Sequence, residues 1–206
     1  MYTRTSLRPD RKIRTTPKMI RGRRSLRQVR RLPATPFHYP LAYLIHKVDE
    51  RLSLPALVVG SMFPDLEIPV IVSLFGDRIP DHFVLHSLLG AATLGTLLSV
   101  IFTILFYPFL VSKIFRIEKH RVERECKPSN ILVLSAFLGC ISHVLLDFTV
   151  HVHNAIFWPF IDDTTSPVVS VLGQYAQLLV HILMGVLFVI LLYNRRKDLV
   201  ESFLVK

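Results

Sequence analysis

Four long apolar stretches dominate the hydrophobic pattern of this 206-residue chain. Three contain no Asp, Glu, Lys or Arg, and the other carries charge only near its middle. They cover residues 54–75, 83–112, 128–146 and 166–194. Because about 20 apolar residues cross a bilayer as a helix, the pattern predicts an all-α, multi-pass membrane bundle of about four transmembrane helices.

A shorter segment, residues 36–51, precedes the first apolar stretch and has apolar positions at Leu41, Tyr43, Leu44, Ile45 and Val48. This pattern predicts a short amphipathic helix that lies at the membrane surface or is half inserted. The membrane-embedded domain is therefore expected to cover residues 34–206. His46 and His120 have charged neighbours and are expected at the surface.

The composition supports a membrane protein, with 51% hydrophobic and 19% charged residues, against about 25% charged in soluble domains. The net charge of +10 is concentrated at the start: residues 1–31 hold twelve of the 25 Lys and Arg, with Asp10 as the single acid. The near-neutral remainder excludes a soluble DNA-binding domain. Residues 1–33 are predicted to be a disordered basic arm that meets anionic lipid headgroups, with a transit peptide or a start at Met19 as alternatives.

The basic residues also predict a topology. All Lys and Arg except Arg78 lie on the side of the membrane that carries the arm, residues 113–127 and residues 195–206. The segments on the other side, residues 76–82 and 151–167, therefore hold one basic residue. By the positive-inside rule, both termini are expected in the cytoplasm, with the protein integral to the inner membrane of the cell.

Ionisable side chains inside apolar spans are costly, so they are functional candidates by default. In SHVLLDFTVH, His143, Asp147 and His151 are spaced i, i+4 and i+8, which places them on one helix face with Cβ atoms about 6 Å apart. Imidazole and carboxylate groups at this spacing can bind one divalent ion or bridge two.

The first span has its own polar interruption. Pro64 breaks the helix, and exposed backbone at membrane depth requires protein or a wet cavity, so Asp65 is expected to line one. Asp65 and His143 lie about 17 Å along their helices from the same membrane face, and the two are expected to meet. His86 lies near the outer end of the second span. His181, alone on the last span, is expected to be a core residue hydrogen-bonded across helices.

Four segments, TPFHYPLA, ALVVGSMFPDLE, LHSLLG and GCISHVLLDFTVH followed by FWPF, occur in this order within residues 35–160. They resemble the membrane-bound metal-dependent hydrolases, which include the LexA-regulated inner-membrane hydrolases and a related bacterial and archaeal membrane family. A more distant similarity is to the zinc-dependent phospholipase C fold. The resemblance implies an all-helical fold, a hydrolytic activity and a set of metal ligands: His38, Asp65, His86, His143 and Asp147. His38 reaches this site only if residues 36–51 fold back into the bundle.

The preferred hypothesis is a membrane-embedded, metal-dependent hydrolase that acts on an ester or phosphoester of a lipid-like substrate and uses Zn²⁺ or a similar ion. Glu67 is a candidate general base, and Asp65 is expected at the catalytic centre as well as on the metal. Two alternatives stay open: an intramembrane ion or proton pathway, and a non-enzymatic membrane adaptor whose polar residues lock the bundle. Metal content separates the first hypothesis from the other two.

Overall fold

A computed structural model describes residues 35–75, 84–152, 154–161, 164–173, 175–194 and 204–205. Ten α-helices lie within these residues: α1 Tyr39–Val48, α2 Leu54–Met62, α3 Glu67–Phe75, α4 Leu88–Gly90, α5 Thr96–Leu105, α6 Tyr107–Phe115, α7 Lys119–Glu125, α8 Asn130–Val150, α9 Pro167–Leu172 and α10 Tyr175–Asn194. The described residues form no strand beyond one isolated bridge between Asn154 and Thr164. The predicted all-helical fold is confirmed, whereas the basic arm of residues 1–33 lies outside the described part.

Within the described residues, four helical segments are long and apolar enough to cross a membrane, in agreement with the predicted number of spans. They are Leu54–Leu74, Leu88–Leu105, Asn130–Val150 and Tyr175–Asn194. Two of the uncharged stretches are longer than the spans they contain. The second span ends at Leu105, because Pro108, in the first turn of the separate helix α6, cannot continue the helical hydrogen bonds. The last stretch divides into α9 and α10 at Gly173, whose φ is +54°.

Helix α1 follows a 3-10 turn, Thr35–His38, and packs inside the bundle. Tyr39 and Tyr43 are buried on α1 against residues of α2 and α10. His46 is buried too, and its Nδ1 lies 2.9 Å from the carbonyl oxygen of Leu52. The expected surface position of His46 is therefore wrong: a charged sequence neighbourhood did not reveal that this helix face packs against the bundle. The same fold brings His38 into the bundle.

Helices α2 and α8 pack with their backbones in close approach, because two glycines face each other's helix. A Cβ on Gly60 would overlap the carbonyl oxygen of Ala136, and a Cβ on Gly139 would lie 2.5 Å from that of Leu57. Small residues allow membrane helices to approach in this way. The contact puts the end of α2 directly beside the middle of α8.

The first span is interrupted where the sequence predicts it. Helix α2 ends at Met62, a 3-10 turn covers Pro64–Leu66, and α3 starts at Glu67. Proline lacks the N–H that would continue the α-helical hydrogen-bond pattern, and the tighter turn places Asp65 in the bundle interior, where it is buried.

Candidate metal centre

Helix α8 supplies two of the polar side chains at the centre of the bundle. His143 and Asp147 lie one turn apart, with the Nε2 atom of His143 3.4 Å from Oδ2 of Asp147. Both side chains are buried. Unbroken helical geometry over this segment is enough to place them on one face, as the i, i+4 spacing predicts.

The interrupted first span supplies the third side chain. Oδ1 of Asp65 lies 3.6 Å from Nε2 of His143, so the two residues of matched depth do meet. The close packing of α2 on α8 and the 3-10 turn after α2 together produce this contact.

The fourth side chain, His86, comes from the segment just before α4. Its Nε2 atom lies 3.3 Å from Nε2 of His143. The same atom is 3.6 Å from Oδ2 of Asp147 and 3.8 Å from Oδ1 of Asp65. Ser87 caps the following helix by accepting from the N–H of Gly90 at 2.9 Å, which holds the adjacent backbone in place.

The spacing of these four side chains fits a single cation. Each of Asp65, His86, His143 and Asp147 offers one ligand atom, and all four atoms lie within 4.8 Å of one another. Ligand atoms bonded tetrahedrally at 2.0–2.1 Å lie about 3.4 Å apart, close to the contacts of 3.3 to 3.8 Å in this cluster. Asp65, His86, His143 and Asp147 thus form a buried cluster, called the four-residue cluster below, that could hold a metal ion.

The hydrogen bonds behind the two imidazoles set the direction of their lone pairs. Nδ1 of His143 lies 2.8 Å from the carbonyl oxygen of Ser61, and Nδ1 of His86 lies 3.1 Å from Oε2 of Glu67. Both acceptors require Nδ1 to carry the proton, which leaves Nε2 as the acceptor nitrogen of each neutral ring. Two imidazole lone pairs and two carboxylates therefore face one point, an arrangement that repels itself without a cation or a proton between them.

Electrostatics at His86 agree with this geometry. Burial by itself lowers the pKa of His86, but the carboxylates of Asp65 and Glu67 outweigh burial and raise the pKa to about 9. The environment of this imidazole favours a positive charge, and a metal cation would compete with the proton for the same nitrogen.

His38 lies at the edge of the four-residue cluster. Its Nε2 atom is 3.4 Å from Oδ1 of Asp147, and its ring stacks on that of His143 with centroids 4.0 Å apart. Burial and the neighbouring His143 ring lower the pKa of His38, which favours a neutral imidazole. The folding of α1 into the bundle thus meets the condition for His38 to reach the site.

His151 and Glu67 also lie next to the cluster. Nε2 of His151 is 3.8 Å from Oδ2 of Asp147, just beyond the end of α8 at Val150, and its side chain is partly exposed. The carboxylate of Glu67 accepts from the backbone N–H groups of Val84 and Leu85 at 2.8 and 3.1 Å, besides its contact with His86.

Two histidines elsewhere in the chain have ordinary surroundings. Nδ1 of His181 lies 2.6 Å from the carbonyl oxygen of Gln177 on its own helix, where the sequence predicts a bond across helices. His120 is exposed near Glu118, as expected. Sequence reasoning missed the Ser61 carbonyl as a partner of His143, because a backbone acceptor leaves no residue-type signal.

Comparison with known proteins gives a family. No curated protein and no solved structure matches the chain. The sequence model of the YdjM inner membrane protein family matches residues 37–205, a range that includes the four-residue cluster, His38, Glu67 and His151. This match confirms the resemblance to the LexA-regulated membrane-bound hydrolases that the four sequence segments indicate. The chain belongs to the YdjM inner membrane protein family.

Proposed function

We propose that this membrane protein is a metal-dependent hydrolase that cleaves an ester or phosphoester bond of a lipid-like substrate. The observation that carries the proposal is the convergence of four buried ligand atoms within 4.8 Å. Hydrogen bonds of the kind that orient metal-binding histidines support it, since both rings donate from Nδ1 to an oxygen.

The four-residue cluster would hold the cation, and His38 and His151 are proposed as additional ligands because each lies within 4 Å of the Asp147 carboxylate. Two imidazoles and two carboxylates form a ligand set typical of Zn²⁺. When bound, such an ion would supply Lewis-acid polarisation of the carbonyl or phosphoryl oxygen and would make a water molecule more acidic.

The protein's own groups have separable roles in this proposal. Glu67 is the proposed general base, and its contact with His86 supports a further role in holding that imidazole in place. Asp65 and Asp147 place negative charge around the reacting centre.

A lipid-like substrate is proposed because the cluster lies between membrane spans. Leu66, which directly follows Asp65 in the chain, is 49% exposed. An apolar side chain exposed this close to a buried polar cluster would let an apolar molecule approach from the bilayer.

Metal content tests the proposal. The detergent-purified protein is expected to contain close to one equivalent of a divalent transition metal, and added Zn²⁺ should raise the melting temperature of the metal-stripped protein. His143→Ala and Asp147→Ala should lose both properties, since each removes a ligand. His181→Ala is the matched control, because it removes an imidazole from another span and should retain both.

Two results would overturn the proposal. One is a wild-type protein with less than about a tenth of an equivalent of metal and no melting shift, because a tight site stays filled by mass action. The other is equal metal loss in His181→Ala and His143→Ala. Hydrolysis is then assayed with short-chain phospholipid and carboxylic ester substrates, and the metal-loaded wild type should be active where Asp147→Ala is not.

A further inference from the structure

A second site candidate lies at the end of the bundle where α2 and α8 begin. It is a pocket of about 600 Å³, within the size range of small-molecule sites. The 14 residues of α8 between Ser129 and His143 correspond to about 21 Å along the helix, so the pocket is separate from the four-residue cluster. Its charged lining residues are Lys47, Glu50, Arg51, Arg124, Glu125 and Lys127.

Two of the four Lys and Arg side chains that line this pocket are not engaged in ion pairs within the described residues. Lys47 pairs with Glu50, and Arg51 contacts the carboxylate of Asp49 at 2.7 Å. In the part of the chain that the structure describes, Arg124 and Lys127 have no ion-pair partner, and one carboxylate, that of Glu125, lines the pocket beside them. The excess of positive charge fits an anion with more than one oxygen acceptor, such as a phosphate group.

The position of the pocket relative to the spans indicates where that phosphate would come from. Ser53 and Ser129 are the N-caps of α2 and α8, the first and third membrane-crossing segments, and both line the pocket. The pocket therefore lies at the depth of lipid headgroups, beside the positive ends of two helices.

An apolar path leads from the pocket towards the bilayer core. Ile131 lines the pocket and is 42% exposed, and Leu134, one turn further along α8, is 44% exposed. On the α1 side, Val48 next to the lining residue Lys47 is 89% exposed. Inorganic phosphate would leave these apolar side chains exposed, whereas the acyl chains of a lipid would cover them.

We propose that this pocket binds the phosphate of an anionic phospholipid, held by Arg124 and Lys127, with an acyl chain along the exposed face of α8. The site does not depend on the hydrolase activity, because it shares no residue with the four-residue cluster. Its ligand stabilises the junction of α1, α2, α7 and α8.

Melting temperature in a neutral detergent tests this proposal on the full-length protein. Short-chain phosphatidylglycerol is expected to raise the melting temperature, whereas short-chain phosphatidylcholine and inorganic phosphate should have a much smaller effect. Arg124→Ala combined with Lys127→Ala should weaken the apparent affinity for phosphatidylglycerol roughly tenfold or more. Lys113→Ala combined with Lys119→Ala is the matched control, since it removes the same charge outside the pocket and should keep the wild-type affinity.

The outcomes separate the possible ligands. An equal shift with inorganic phosphate, lost in the Arg124 and Lys127 variant, would overturn the lipid as the ligand. Equal weakening in both double variants would overturn the pocket, because it would show a diffuse charge effect. The proposal does not require bound metal, so measuring the shift in Asp147→Ala distinguishes its failure from failure of the hydrolase proposal: the phosphatidylglycerol shift should persist there.

Discussion

The two imidazoles of the four-residue cluster donate hydrogen bonds to acceptors outside the cluster. The Ser61 carbonyl oxygen and the Glu67 carboxylate each bind the Nδ1 side of one imidazole. A ring held in this way presents Nε2 with one orientation, so less rotational freedom is lost when a cation binds. Glu67 is therefore expected to affect metal affinity although it is not itself one of the four cluster residues.

A first prediction concerns Glu67. Glu67→Ala should lower Zn²⁺ affinity by roughly 10- to 100-fold, because His86 loses the acceptor that orients it, and Glu67→Gln should lower it less, because an amide oxygen can still accept. Zn²⁺ titration of metal-stripped protein measures both variants. Glu118→Ala, which removes an exposed carboxylate, should leave the affinity unchanged. Wild-type affinity in Glu67→Ala would contradict the positioning role.

At the scale of the elements, the cluster depends on how closely α2 approaches α8. The carbonyl of Ser61 belongs to the last turn of α2, and it reaches His143 because Gly60 and Gly139 leave no Cβ between the two backbones. Separation of the helices would move both Ser61 and the Asp65 turn away from α8. The glycines therefore affect the site without touching it.

A second prediction follows for Gly139. Gly139→Ala should lower the free energy of unfolding by about 1–3 kcal/mol, as overpacking of a tight contact does, and should weaken Zn²⁺ binding at the same time. Gly185→Ala is the control, since the one atom of the described residues that its Cβ would approach within 4 Å is the side-chain atom Cε1 of Phe37, at 3.4 Å. Thermal unfolding in detergent compares the two variants, and equal stability would contradict the close-packing argument.

The whole molecule combines a near-neutral membrane body with basic residues on one predicted side. Lys113 and Arg116, at the end of α6, and the exposed Lys119 of α7 lie between the second and third spans. An even number of spans, with the positive-inside rule, predicts that both termini lie on the side that carries these residues.

A third prediction tests this topology. Reporter fusions at Lys206 and at Asp163 should report opposite sides of the membrane, with Lys206 in the cytoplasm, because nearly all Lys and Arg lie on the side of the termini. Phosphatase and fluorescent-protein reporters at each position provide reciprocal readouts. The four-span arrangement is wrong if both fusions report the same side.

A fourth prediction concerns the basic arm. Deleting residues 1–31 should leave membrane accumulation and melting temperature close to wild type, because these residues contribute little apolar surface. The same deletion should weaken binding to anionic vesicles, since twelve Lys and Arg are removed. Loss of the folded protein from the membrane would show that the arm contributes to the body.

Local sequence determined the spans, the interruption at Pro64 and the pairing of His143 with Asp147. These features depend on hydropathy, on the missing proline N–H and on the 3.6-residue helical period. Each acts within a single segment, so it can be recognised without knowing which helices pack beside that segment. Most of the candidate ligands were predicted from such local patterns, and the family resemblance added His38.

Tertiary structure decided which of these groups meet and what holds them. The burial of His46 and His38 depends on α1 packing into the bundle, and the contact of Glu67 with His86 joins residues 19 positions apart. The Ser61 carbonyl acts through the backbone and carries no residue-type signal. Such contacts depend on the distance and rotation between helices, which are set by packing across the whole bundle.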